Sequence, residues 1–69
     1  MKKSKSRSFA IIGLDRFGQT LATNLARTGH QVLVIDPDDN LVTALSDIVT
    51  NAVVGDPTND AVLRAAGVH

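Results

Sequence analysis

Two kinds of hydrophobic spacing alternate along this chain. Phe9-Ala10-Ile11-Ile12 is apolar at every position, so a strand built from it needs cover on both faces. From Arg16 to Thr28 the spacing changes. Phe17, Leu21 and Leu25 recur every four residues with Ala22 and Ala26 beside them, which is the stripe of an amphipathic helix. Gly29 then stands where a helix commonly ends in a left-handed residue. Gln31-Val32-Leu33-Val34-Ile35-Asp36 is a second strand, apolar on both faces and rich in β-branched residues. Pro37-Asp38-Asp39-Asn40 reads as a turn and helix start, with acids at the positive end of the helix dipole. Leu41, Ala44, Leu45 and Ile48 form the stripe that follows. Ala52-Val53-Val54 is a third strand, closed by Gly55-Asp56-Pro57. Thr58 or Asn59 caps a last helix through Ala61, Val62, Leu63 and Ala66, and Gly67 stops it.

The predicted order is therefore β-α-β-α-β-α. Strands apolar on both faces and joined by helices belong in a parallel sheet, and right-handed crossovers put the first two helices on one face. The fold class this implies is α/β: a Rossmann-like βαβαβα half-domain with a three-stranded parallel sheet in the order 3-2-1. Residues 9–69 would form this half of a nucleotide-binding domain, behind a flexible basic tail over residues 1–8.

The turn out of the first strand carries the candidate chemistry. Gly13-Leu14-Asp15-Arg16-Phe17-Gly18 fits the dinucleotide pattern Gly-x-Gly-x-x-Gly except at its middle glycine, which is Asp15. Gly13 would make the tight turn, Gly18 would let helix and sheet approach, and the helix N-terminus would offer N–H groups to a pyrophosphate. Asp36 ends the second strand 18 residues after Gly18, close to the spacing of the acid that binds ribose hydroxyls; the other reading of Asp36 is a turn aspartate before Pro37. No Arg or Lys follows it, only Pro37-Asp38-Asp39, so the 2′-phosphate of NADP is disfavoured on charge. A P-loop alignment over Gly13 to Thr20 fails because Gln19 stands where lysine must reach the phosphates.

Asp15 weighs against tight phosphate binding. A carboxylate a few ångströms from a phosphate costs about 1–4 kcal/mol between the dielectrics of water and protein surface. Arg16 either offsets part of this or is a solvated residue at the helix start. A cation bridging Asp15 and phosphate oxygens is a third arrangement.

Charge sharpens the picture. The chain is formally neutral, yet Lys2, Lys3, Lys5 and Arg7 are all in the opening segment. Positions 8–69 hold three bases against seven aspartates, a net −4, which argues against a nucleic-acid partner. There is no cysteine, hence no disulfide framework or thiol nucleophile. The only histidines, His30 and His69, have no second ligand at useful spacing, and no glutamate is present. No catalytic or metal-binding constellation can be assigned.

Phe9-Ala-Ile-Ile-Gly-Leu-Asp-Arg-Phe-Gly18, Gly29-His30-Gln31-Val32-Leu33-Val34-Ile35-Asp36, Val54-Gly55-Asp56-Pro57-Thr58-Asn59-Asp60 and Leu63-Arg64-Ala65-Ala66-Gly67 together resemble the TrkA/Ktr family. The likeness is to the N-terminal nucleotide-binding domain (RCK-N or TrkA-N) of regulators of potassium conductance, and it runs from Phe9 to Val68. The family has glycine where this chain has Asp15, and its domain is a full doubly wound sheet, of which 69 residues make the first half. The resemblance implies a non-enzymatic cytoplasmic regulator, at or near the inner face of the membrane, that binds NAD(H) or ATP/ADP and gates a membrane-embedded potassium channel or transporter. By position, Gly13, Arg16, Phe17 and Gly18 would form the phosphate turn, with Asp15 among them as the candidate that departs from the family, Asp36 would hold the adenosine ribose, and Asp56 would lie near the adenine end. Two other readings stay open: an N-terminal fragment of an NAD-dependent Rossmann oxidoreductase, and an interaction module that has lost its ligand. A half-domain leaves one sheet face and the first-strand edge uncovered, so a homodimer or larger assembly is expected.

Overall fold

The computed structural model describes residues 7–67. Three parallel strands, β1 (Ser8–Ile12), β2 (Gln31–Asp36) and β3 (Asn51–Val54), alternate with α1 (Arg16–Arg27), α2 (Asp39–Leu45) and α3 (Asp60–Ala65). The sheet order is β1-β2-β3; the expected 3-2-1 names the same neighbours from the opposite edge. Phe9 pairs with Val32 and Ile11 with Val34, while Val34 pairs with Ala52. Because partners in a parallel ladder share a face, these residues form one side of the sheet.

That side is the core. Val32 and Val34 cluster with Leu14, Ala22 of α1, Val42 and Leu45 of α2, and Val49. Both helices therefore lie on one face, as right-handed crossovers require. The opposite face is covered unevenly. Ile35, in register with Ile12 and Val53, is fully buried, whereas Leu33 is half-buried and Ala10 exposed. Only α3 lies after the third strand to cover this side, and none of its residues is buried.

Several details differ from the sequence reading. β1 begins at Ser8, and the Arg7 N–H donates to Nδ1 of His30 at 3.1 Å; the rest of the expected basic tail, residues 1–6, lies outside the described residues. The expected α1 stripe holds at Ala22, Leu25 and Ala26, which pack on the core, and fails at its start. Phe17 is 74% exposed, and Gly18 and Ala22 are the buried positions. Small residues face the sheet because the helix backbone sits close to it. α2 stops at Leu45, and a turn in which Val49 N–H bonds the Leu45 carbonyl follows. The buried positions Val42, Leu45 and Val49 lie on one helical face, shifted from the expected stripe, and Ala44 and Ile48 are exposed. The α1 terminus follows the expected glycine stop: Gly29, at φ +89°, donates to Ala26 and His30 to Leu25, the paired bonds of a Schellman motif.

Candidate functional site

The turn from β1 into α1 is shaped by two glycines that have different reasons to be there. Gly13 has φ +91°, a left-handed conformation that strains any residue with a Cβ. Its N–H extends the ladder by donating to the Ile35 carbonyl at 2.9 Å. Gly18 is buried, and a Cβ there would sit 2.5 Å from the Gly13 carbonyl oxygen. The turn is thus folded so tightly onto the first turn of α1 that no side chain fits between them.

Asp15 is the N-cap of α1. Its Oδ1 accepts the Gly18 N–H at 2.7 Å, and its carbonyl accepts from Gln19. An aspartate in this position satisfies one of the amides that a helix start otherwise leaves without a partner. It also puts a negative charge on the positive end of the helix dipole, where a phosphate would be received. The residue that breaks the glycine pattern is therefore an integral part of the turn.

Asp36 ties two turns together. Its Oδ2 accepts the Leu14 N–H at 2.7 Å, and its Oδ1 accepts the Asp38 N–H at 2.8 Å. One carboxylate thus braces both the β1–α1 turn and the entry to α2, whose own cap, Asp38, takes the amides of Asn40 and Leu41. The bond to Leu14 could not have been found from the sequence, because a backbone amide carries no residue signature. The sequence signal that did exist for Asp15 was its place three residues before Gly18 at a helix start, a favoured capping position.

An open groove of about 520 Å³ lies over this turn, lined by Ala10 through Asp15, Phe17, Gly18, Leu21 and Asp36. Five of the seven expected site residues, Gly13, Asp15, Phe17, Gly18 and Asp36, are brought together here. Arg16 is exposed at the start of α1 and does not line the groove. Asp56 also lies outside it, in the turn after β3, although its neighbour Gly55 donates to the Asp36 carbonyl at 3.1 Å. Asp56 Oδ1 accepts both the Thr58 N–H, at 2.9 Å, and the Thr58 hydroxyl, at 2.6 Å. These bonds hold its carboxyl below the usual carboxylate range, the hydroxyl contributing most. With Thr58 so engaged, Asn59 caps α3.

Among the described residues no group of three or more acidic or histidine side chains could hold a metal ion, and no helix is long and apolar enough to cross a membrane. A groove of this size, a glycine turn without room for a Cβ, and a carboxylate at the end of β2 fit a nucleotide in shape; the charge of Asp15 is the feature that fits it poorly.

The fold is a βαβαβα unit with three parallel strands, and a capping aspartate stands in the glycine turn after its first strand. The chain belongs to the TrkA-N domain family, whose pattern matches residues 9–69. It is similar to the Ktr system potassium uptake protein A of Bacillus subtilis (strain 168), 37% identical over 69 residues, all of this chain and 31% of that protein. The Ktr system potassium uptake protein C of the same organism is 37% identical over 63 residues, covering 91% of this chain and 28% of that protein. The Ktr system potassium uptake protein A of Vibrio alginolyticus is 34% identical over 58 residues, covering 84% and 26%. The chain thus spans about a third or less of the length of these curated relatives.

Proposed function

We propose that residues 9–69 are the first half of a regulatory nucleotide-binding domain that takes NAD(H) or an adenine nucleotide (ATP or ADP) and serves a potassium channel or transporter. In this reading the nucleotide lies over Gly13–Gly18, with Asp15, Arg16 and Phe17 at its phosphates. Its ribose meets Asp36, and Asp56 lies toward the adenine. The observation that carries it is the joint placement of Asp36 and the glycine turn. The carboxylate bonds the Leu14 amide at 2.7 Å, beside a groove whose floor is Gly13 and Gly18. The domain has no chemistry of its own. It works in the cytoplasm against a membrane-embedded partner, consistent with the potassium uptake named in its relatives, and as a homodimer or larger assembly.

A second reading, an interaction module without a ligand, is favoured by one contact: Asp15 already takes the Gly18 amide. Titration calorimetry of the chain with NADH, ATP, ADP and NADPH separates the two. Binding of NADH or an adenine nucleotide in preference to NADPH supports the nucleotide reading. Absence of binding to any of the four in the chain and in an Asp15→Gly variant supports the interaction module.

A further inference from the structure

The first-turn amides of a helix, here those of Arg16, Phe17 and Gly18, have no intrahelical acceptor and attract an anion. One of the three is already taken, by a carboxylate of the chain itself at 2.7 Å. Gly18 packs closely against the turn, where a Cβ would lie 2.5 Å from the Gly13 carbonyl oxygen. A second carboxylate, Asp36, lines the same groove, and no Lys or Arg does. A phosphate entering it meets two negative charges. The hydroxyls of a ribose instead meet two acceptors, each with lone pairs beyond those used by the amides. The rest of the lining is largely apolar, including Ile11, Ile12, Phe17 and Leu21, which suits the body of a nucleoside.

Resting on the nucleotide reading above, we propose that Asp15 is the residue that sets ligand specificity in this groove: its carboxylate stands where a phosphate would be received, so that the phosphates of a nucleotide add less affinity over the bare nucleoside than they do once that charge is removed. The residue is neither a gap in the glycine pattern nor a cap alone. It is an internal competitor that a phosphate must displace, and its effect is electrostatic at first order, so it weakens with added salt.

The test is calorimetric titration of the chain, Asp15→Asn and Asp15→Gly with adenosine, AMP and ADP, at low salt with EDTA present. Asparagine caps a helix about as well as aspartate, so Asp15→Asn removes the charge and keeps the fold; Asp15→Ser is a second capping variant, and circular dichroism melts verify each. The phosphates of AMP and ADP are expected to add less than about tenfold to the affinity of the chain for adenosine. Asp15→Asn should tighten AMP and ADP about tenfold, and Asp15→Gly at least as much, with adenosine unchanged within about twofold. Tightening of AMP and ADP in a variant of a chain that itself binds neither also supports the proposal. AMP or ADP binding the chain more than about tenfold tighter than adenosine, or gaining nothing in Asp15→Asn, overturns the proposal and leaves the nucleotide reading standing. Absence of binding of all three ligands to the chain and to every variant overturns both.

Discussion

The turns after β1 and β3 are built from similar parts and do different work. Each leaves a strand through a glycine, carries an aspartate one or two residues later, and enters a helix whose start is capped by a side chain. In the β3–α3 turn the aspartate closes on its own loop: Asp56 takes both donors of Thr58, and Asn59 is left to cap the helix. In the β1–α1 turn Asp15 caps the helix itself, and the loop is braced from outside by Asp36 of the neighbouring strand. The glycines differ in the same sense. Gly18 is pressed against backbone, the Gly13 carbonyl, whereas Gly55 is pressed against a side chain, with a Cβ there falling 2.9 Å from Cγ1 of Val62. One turn is self-contained. The other is braced by Asp36 of the neighbouring strand beside an open groove, where the proposed function places the ligand.

The largest expected effect is on those two glycines. Gly18→Ala must displace backbone, and a cost of about 2–3 kcal/mol is expected from overpacking. Gly55→Ala meets only a valine methyl and should cost about 1 kcal/mol. Urea denaturation of both variants measures the difference; equal costs would remove the distinction between the turns.

Removing the outside brace comes next. Asp36→Ala deprives the Leu14 and Asp38 amides of their acceptor. Bonds to a charged group are worth roughly 1.5–3 kcal/mol each when well shielded, and this carboxylate is only half-buried. A loss of about 2 kcal/mol is expected for the pair, with faster hydrogen exchange at Leu14. Unchanged exchange at Leu14 would show that the turn stands without its brace.

How much of this could be read from the sequence depended on whether a side chain announced it. The strands were legible because their apolar runs are unbroken, and Gly29 and Gly67 because each has a positive φ that only glycine takes readily. The α1 stripe was legible at Ala22, Leu25 and Ala26, which pack on the core, and misread at its start, where Phe17 is exposed and the close packing is made by Gly18, a residue with no side chain to announce it. The α2 stripe was misplaced because Leu41-Val42 and Ile48-Val49 each offer two adjacent apolar residues, and Val42 and Val49, at helical spacing from Leu45, are the ones that are buried. The choice between Thr58 and Asn59 as cap turned on Asp56, whose acceptor had already claimed Thr58. At the site, the glycines, Asp15 and Asp36 were identifiable by position. The amide that binds Asp15, and the two that bind Asp36, were not, since backbone donors leave no trace in composition or spacing.

The smallest effect lies in the self-contained turn. The Thr58 hydroxyl and amide hold the folded Asp56 carboxyl below the usual carboxylate range. A carboxyl lowered by folding contributes stability above its unfolded pKa, and that contribution fades as pH falls through the lower folded value. Thr58→Val removes the hydroxyl donor, so Asp56 should titrate closer to its ordinary value and the variant should lose less stability on acidification. Carboxyl NMR titration of chain and variant reads the shift directly; the same titration midpoint in both would contradict the role of the hydroxyl.

That the β1–α1 turn is the one built to receive a nucleotide is tested most directly by following backbone amide resonances while ADP is added to Asp15→Asn, in which the competing charge is gone and the cap remains. The prediction is that the amides of Gly13, Leu14, Phe17 and Gly18 move first and furthest, with Asp36 following and the strand ends at Ser8 and Asn51 unmoved. Shifts centred on the opposite end of the sheet, around Ser8, Asn51 and Ala66, or no shifts at all, would contradict it.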